Sequence, residues 1–511
     1  MKKWRAALAS TAGSDAILPT LFALLTLGYS LRYHEPWRDE AHTFILAREV
    51  PLRQFLDVAH MEGAPPLFHL LLKLLGVFLP GQFALALGNS IGFAVLLFGA
   101  QQVLRSMDVS RPLAALAVVF LGTTDAFTYE FGIIARPYGF ALGLALLTIA
   151  DLLRSLDARR PNELLLRAGV FAGASTLMAT HAGCIAGAAL VAYAITAVAR
   201  GERGHAMLPF VAFAPCFYLE TWIISDAARA VAPTVVRNPT WTYGVDLAKT
   251  FFESGLGPTR WWFTQAEYAE YDLREVSAPL HLAIFIAMVR GFFASKKSVS
   301  RTGLAVLTVL VSWVPLTYIL ILRYGGWFRH WVHLWIPAIV LGLGGLLGRS
   351  RLLPRASIVV SLAGLWFLVP WWRGQNWALR ETLERDRTQL LSETKNVAPL
   401  LPHGARLVGS ADWLIEPLFL WRPDLTMRAA SGNGRYFRYI VPDAAWDETV
   451  PYQGLVTQEC AALPTEPVYL ITQGPLANAC LSRVEHPQRP EAWEHLEVYA
   501  VGCSCWSALP R

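Results

Sequence analysis

The chain predicts an α-helical polytopic membrane protein of about 11 spans, followed by a small C-terminal α/β domain outside the membrane. Three observations carry that prediction. Of the 511 residues, 54% are hydrophobic and only 16% are charged, and mean hydropathy is positive, which suits a membrane chain better than a soluble multidomain one. Basic residues collect in short connections between apolar runs, the pattern by which positive charge on the cytoplasmic side sets orientation. From residue 377 the chain turns polar and Pro-rich and has no apolar run long enough to span. The formal net charge of +6 therefore reads as topology, and no nucleic-acid partner is expected.

Lys2, Lys3 and Arg5 precede an uncharged apolar run from Ala16 to Leu31. A small-x-small cleavage site is lacking and many apolar segments follow, so the run is expected to be an uncleaved first helix rather than a signal peptide. Basic connections then recur at Arg105 and Arg111, at Arg154, Arg159, Arg160 and Arg167, at Arg200 and Arg203, at Lys296, Lys297 and Arg301, and at Arg349, Arg351 and Arg355. Placing all of them inside with the N-terminus predicts spans near 15–32, 83–104, 112–131, 137–153, 163–180, 182–199, 205–224, 278–294, 302–322, 332–348 and 356–372. His181 interrupts the fifth and sixth apolar runs and is placed at an outer turn.

Counting Pro65–Leu79 as a span would invert every later basic loop. His69 and Lys73 share one helical face there, and Leu70, Leu71, Leu74 and Leu75 cover the other. The segment is expected to be an interfacial helix with Pro at its start. Pro51–Ala59 reads similarly, with Leu52, Phe55 and Leu56 opposite Arg53 and Asp57. The first outer loop, residues 33–82, thus becomes a structured platform. A second outer segment, Ser225–Ser277, holds Trp241, Trp261 and Trp262. In the tail, Arg380–Asn396 reads helical, and Arg406–Gly409, Val468–Thr472 and Val498–Val501 read as short strands. The predicted domains are 1–376 and 377–511.

Cys184 and Cys216 lie in apolar runs and read as inert core residues. Cys460, Cys480, Cys503 and Cys505 lie in the tail, and four cysteines allow three pairings. An exported tail is expected to hold at least one disulfide. Cys503 and Cys505 are only two apart, so Cys460–Cys480 is the pairing expected. A zinc site is the competing reading, without Cys-x-x-Cys or His spacing to support it.

Three short motifs carry chemistry. Trp37-Arg38-Asp39-Glu40-Ala41 follows the first apolar run. Two acids at the mouth of a membrane helix are costly unless water, a partner or chemistry uses them. A carboxylate there can take a proton from a hydroxyl nucleophile; the bland reading is a solvated interfacial turn. Glu62-Gly63-Ala64-Pro65-Pro66-Leu67 and Ala135-Arg136-Pro137-Tyr138 complete the set. His42, His60 and His69 share the first loop with Asp39, Glu40 and Glu62. They offer divalent-cation ligands without diagnostic spacing, so a metal is not favoured. A Gly-rich nucleotide loop and a serine elbow are both absent from the sequence, which disfavours a nucleotide-sugar enzyme.

The order, spacing and sidedness of these motifs resemble the integral-membrane GT-C glycosyltransferases. Within that group they resemble more closely the branch containing protein O-mannosyltransferases and the lipid A aminoarabinose transferase. The resemblance covers roughly residues 15–350, and the tail matches no pattern of that group. The resemblance implies a bacterial inner-membrane enzyme with a cytoplasmic N-terminus and a periplasmic tail. It implies a polyprenyl-phosphate-linked sugar as donor, a hydroxyl of a glycan, lipid or protein as acceptor, inversion at the sugar, contact with membrane lipids and no obligatory metal. It places the essential acid at Asp39 with Glu40 beside it. A lipid-phosphate leaving group calls for cations, and Arg136, with Tyr138 next to it, suits that role through its planar fork. Arg329, with His330 and Arg323, is a second outer arginine site; lipid-headgroup contact is the plain alternative for it and for Arg136. His181 is a further candidate, with a structural histidine as its bland reading. The rival functions are a lipid or polysaccharide transporter, whose charges would sit near the midplane, and a structural partner of another transferase.

Overall fold

The computed structural model describes residues 2–33, 38–62, 65–123, 129–133, 135–235, 301, 303–312, 328–347, 397–409, 418, 422, 424–429, 452–462, 468–473, 476, 479–484 and 496–506. The chain divides into two compact units. One comprises Met1–Tyr29, Gly63–Phe68 and Leu87–Leu379; the other comprises Ser30–Glu62, His69–Ala86 and Arg380–Arg511.

The first unit is helical. Helices cover Lys2–Tyr33, Gly81–Ser106, Arg111–Thr123, Tyr138–Ser155, Asn162–Met178, Thr180–Ala199, Arg203–Met207, Phe210–Val235 and Phe328–Leu347, and a shorter apolar helix covers Gly303–Ser312. Among the described residues, four stretches are long and apolar enough to cross a membrane: Gly81–Ser106, Tyr138–Ser155, Thr180–Ala199 and Arg203–Ser225. The chain is a polytopic α-helical membrane protein. The expected spans at 278–294 and 356–372 lie outside the described residues, so the path of about 11 spans remains a proposal.

Prolines mark several starts, because proline fixes a helical φ and lacks the N–H that a first turn leaves unused. Pro137 and Pro161 precede two helices. The sixth helix restarts differently. Ala179 alone is extended, with φ −160° and ψ 127°, and Thr180 resumes the helix. The break therefore falls at Ala179, and His181, which the sequence placed at the turn, lies in the first turn of the new helix.

Small residues let two spans meet backbone to backbone. The Gly81–Ser106 and Tyr138–Ser155 helices run parallel. A Cβ at Gly99 would fall 2.6 Å from the Gly143 carbonyl oxygen, and one at Gly143 would fall 2.5 Å from the Val95 carbonyl carbon. Ion pairs link several of the basic connections. Arg111 binds Asp15 at 2.9 Å, and Arg301 reaches both Asp108 and Asp157 while donating to the Ser106 carbonyl. Arg167 joins Asp151 from the next helix. The connections at Arg105–Arg111, Arg154–Arg167 and Arg301 are thus together in space, while Lys296, Lys297, Arg349, Arg351 and Arg355 lie outside the described residues.

The second unit contains most of the platform, all but Gly63–Phe68, and the tail. The platform has helices Arg38–Glu49, Phe55–Glu62 and Pro66–Phe78, with a short 3₁₀ turn at Leu52–Gln54. Leu46, Val50 and Phe55 form a small buried cluster against Leu70. The Pro66–Phe78 helix turns its polar side inward: His69 is buried, and Lys73 donates to three main-chain carbonyls. Leu74, Val77 and Phe78 are exposed, as an interfacial helix requires. The 51–59 segment departs from its expected single apolar side, since Phe55 is buried while Leu52 and Leu56 are exposed.

In the tail, β1 (Arg406–Gly409), β2 (Thr426–Ala429), β3 (Val468–Gln473), β4 (Leu481–Arg483) and β5 (Leu496–Val501) form one mixed sheet in the order β2-β1-β3-β5-β4. The β1–β2 and β1–β3 pairs are parallel; β3–β5 and β4–β5 are antiparallel. The helix Tyr452–Ala462 packs Val456 and Cys460 on Val408, Val468, Leu470 and Val501. Two disulfides close this core, Cys460–Cys503 and Cys480–Cys505. The expected Cys460–Cys480 pairing is corrected: the short helix Cys503–Trp506 follows β5 directly and delivers both of its cysteines to different partners. Arg406 and Glu459 form a buried pair, with Nη1 donating to the Glu459 main-chain oxygen at 2.7 Å and to Oε2 at 3.1 Å.

Candidate active site

The acidic motif opens a helix. Arg38, Asp39 and Glu40 are the first three residues of Arg38–Glu49, where the unpaired N–H groups favour negative charge. The Asp39 side chain lies outside the described residues. Glu40 is 0% exposed, so this member of the pair is not solvated. Adjacent helical residues point about 100° apart, and one acid of the two is turned into protein.

The other end of this helix is held from a distance. Pro51 has no N–H, so the Ala47 carbonyl lacks its ordinary i+4 donor. The Lys73 ammonium donates to Ala47 at 2.9 Å, Arg48 at 3.2 Å and Val50 at 2.7 Å. Gly76 faces the Phe44 ring so closely that a Cβ there would stand 3.2 Å from Cε2.

The remaining platform candidates are spread along it. His60 is half-buried in the last turn of Phe55–Glu62, which ends on Glu62; the Glu62 side chain lies outside the described residues. His69 is buried with its ring 6.3 Å from that of Phe55, and His42 is half-buried. Among the described residues no group of three or more His, Cys, Asp or Glu is arranged to hold a metal ion.

In the helical unit, Arg136 and Tyr138 flank Pro137 between a π-type turn, Tyr129–Ile133, and the Tyr138–Ser155 helix, and both are half-buried. Such turns interrupt the regular i→i+4 pattern and are frequent at functional sites. The entry is braced by close backbone approaches. A Cβ at Gly139 would lie 2.8 Å from the Phe131 carbonyl oxygen, and one at Gly92 would lie 3.0 Å from the Phe140 nitrogen. Arg329 is the second residue of Phe328–Leu347, and its side chain, like all of Arg323, lies outside the described residues. His181 stands in the first turn of Thr180–Ala199.

Two buried polar side chains escaped the sequence reading. Glu220 is 1% exposed; Oε1 accepts a hydrogen bond from Thr180 Oγ1 at 2.5 Å, and Oε2 has no partner. Asn89 is 1% exposed, with neither Oδ1 nor Nδ2 paired. Asn89 lies about one turn before Gly92, which meets the Phe140 backbone. Their residue types alone gave no signal, since burial is a property of the assembled helices. Asp39, Glu40, His60, Glu62 and His69 belong to one unit, and Arg136, Tyr138, His181 and Arg329 to the other.

No protein-family model matches the chain, and no curated protein matches it in sequence. Solved structures do match in fold. ArnT from Cupriavidus metallidurans in the apo state is 13% identical, with a TM-score of 0.55 over 98% of this chain and 100% of that one. The same protein bound to undecaprenyl phosphate gives 14% identity and a TM-score of 0.56, over 95% of this chain and 97% of that one. The arabinofuranosyltransferase AftD from Mycobacteria gives 14% identity and a TM-score of 0.52, over 97% of this chain but 40% of that one. At these identities the likeness is one of fold: the chain is a polytopic α-helical membrane protein with the ArnT fold and a C-terminal domain.

Proposed function

We propose that the protein is an inverting glycosyltransferase that moves a sugar from a polyprenyl phosphate to a hydroxyl of a glycan, lipid or protein at the outer face of a bacterial inner membrane. The observation that carries the reading is the fold shared, nearly end to end, with a structure that holds undecaprenyl phosphate. The acidic motif at the start of a platform helix supports it.

The acceptor oxygen attacks the anomeric carbon, and the bond from that carbon to the phosphate oxygen breaks. The polyprenyl phosphate leaves with the electron pair, and the acceptor's proton passes to Asp39. Glu40, buried beside it, orients the helix start rather than meeting substrate. Arg136 and Arg329 neutralise the phosphate, with Tyr138 as a hydrogen-bonding neighbour. The lipid chain stays in the bilayer while the sugar meets its polar acceptor. The eleven-span path, the outer location of residues 377–511 and the division at 376/377 belong to this reading.

Mass spectrometry of glycolipids and cell-envelope glycans tests it, with cells carrying no gene, the wild-type gene or Asp39→Asn. A glycan that appears with wild type and falls by about 10²-fold or more in Asp39→Asn is expected. Identical profiles in all three would overturn the enzymatic reading. A product that persists at wild-type level in Asp39→Asn would overturn the base assignment alone.

A further inference from the structure

Lys73 lies 34 residues beyond Asp39 and has no part in the reaction as written above. Its surroundings are specific. The ammonium has three N–H donors, and three main-chain carbonyls at the end of Arg38–Glu49 receive them, within 2.7–3.2 Å. Two of these, Ala47 and Arg48, are among the last four carbonyls of the helix, the groups a helix end leaves without internal partners. Proline at 51 removes the backbone donor that would ordinarily serve Ala47. A cation at this end also complements the negative pole of the helix.

The bonds span 23 to 26 residues, so they join two helices rather than trimming one. Nearby, Gly76 admits the Phe44 ring and Leu70 packs on Leu46, Val50 and Phe55. The far side of the Pro66–Phe78 helix is apolar and exposed at Leu74, Val77 and Phe78. A charged side chain on a mostly apolar helix is thus bonded to the far end of the helix whose first turn holds Asp39 and Glu40.

We infer that Lys73 is a positioning residue: it anchors the acid-bearing helix to the interfacial helix and so sets where Asp39 stands. The helix is about 18 Å long at 1.5 Å per residue. A tilt allowed at the anchored end therefore displaces the opposite end most. This rests on Asp39 being the base, and the test separates the two.

Full-length protein in phosphatidylethanolamine–phosphatidylglycerol nanodiscs is compared as wild type, Lys73→Met, Lys73→Arg and Asp39→Asn. Backbone amide exchange, undecaprenyl phosphate affinity and, in cells, glycan product per folded protein are read. Lys73→Met is expected to speed exchange across residues 38–49 while leaving Tyr138–Ser155 unchanged. Product should drop about tenfold or more, and undecaprenyl phosphate affinity should stay within twofold. Lys73→Arg should restore most of both losses, because guanidinium also donates to carbonyls. Unchanged exchange in Lys73→Met overturns the inference. Faster exchange with undiminished product overturns its catalytic consequence. Loss of product in Lys73→Met with full product in Asp39→Asn would leave Lys73 in place and remove Asp39 as base.

Discussion

Arg167 holds Asp151 with two parallel bonds, Nε to Oδ2 at 2.6 Å and Nη2 to Oδ1 at 2.7 Å, joining the Tyr138–Ser155 and Asn162–Met178 helices. The Asp151 side chain is 3% exposed, whereas that of Arg167 is 46% exposed. The pair is therefore unequal: the carboxylate depends on the fork more than the fork depends on it. Arg167→Ala should destabilise the protein by about 1–3 kcal/mol, because a buried charge loses its main partner. Arg167→Lys should recover only part of this, since one ammonium cannot reproduce two parallel bonds. Thermal unfolding in detergent checks the order wild type, Lys, Ala. Equal midpoints for all three would show that Arg154, 3.6 Å from Asp151, suffices alone.

Arg136→Lys keeps the charge and loses the fork. Donor use should weaken on the order of tenfold, with the loss greatest at low donor and small at saturation. Arg329→Lys is expected to behave alike. The measurement is undecaprenyl phosphate released against donor concentration, with undecaprenyl-phosphate-linked pentoses and hexoses as trial donors. Donor curves that overlay wild type for both variants would reassign these arginines to lipid headgroups.

Cys460–Cys503 and Cys480–Cys505 close loops 43 and 25 residues apart. Each should stabilise the tail by about 3–4 kcal/mol through the chain entropy of the unfolded state. Peptide mapping without reduction should recover those two cross-linked pairs from membranes. Cysteines that label with a membrane-impermeant thiol reagent only after the inner membrane is opened, and without reduction, would contradict both the pairings and an outer tail.

Asp424 gives a pH-dependent prediction. Arg422 donates Nε and Nη2 to its two oxygens, both at 2.8 Å, and the Gly404 amide adds a bond of 2.7 Å. These bonds, those from Arg422 foremost, hold the carboxyl well below the usual carboxylate range. The folded value lies below the unfolded one of about 3.9, so the stabilisation is complete above roughly pH 5 and disappears as pH falls through and below pH 4. Asp424→Asn should melt lower than wild type near neutrality, and the gap should close on acidification. A gap of constant width down to about pH 2 would show that the carboxylate's charge is immaterial.

How much of this could be read in advance depended on the range of the interactions. The Pro66–Phe78 helix was legible because its apolar and polar residues repeat at helical spacing, and β1, β3 and β5 because each is a short apolar run. Strands β2 and β4 were missed: each has three or four residues, lies at a sheet edge and takes its form from its neighbour's register. The acidic pair stood out in the sequence, yet nothing local tells that Glu40 is fully buried. Likewise Glu220 and Asn89 look like ordinary polar residues until the helices close around them. The cysteine pairing was hidden for the same reason, because only the sheet brings Cys503 to Cys460 and Cys505 to Cys480.

The meeting of Gly99, Gly143 and Val95 has a mechanical consequence. Where two helices touch through main chain, neither can roll about its axis without driving atoms of the other, so they turn and shift as a single rod. Arg136 sits on the cap of that rod, just before its regular part begins. The turn before it is packed as well: Phe131 and Ile133 are buried, and the Phe131 carbonyl lies where a Cβ at Gly139 would reach it. On the proposed reading, a donor phosphate would meet at Arg136 a mount fixed on both sides, with only the side chain left to adjust its reach.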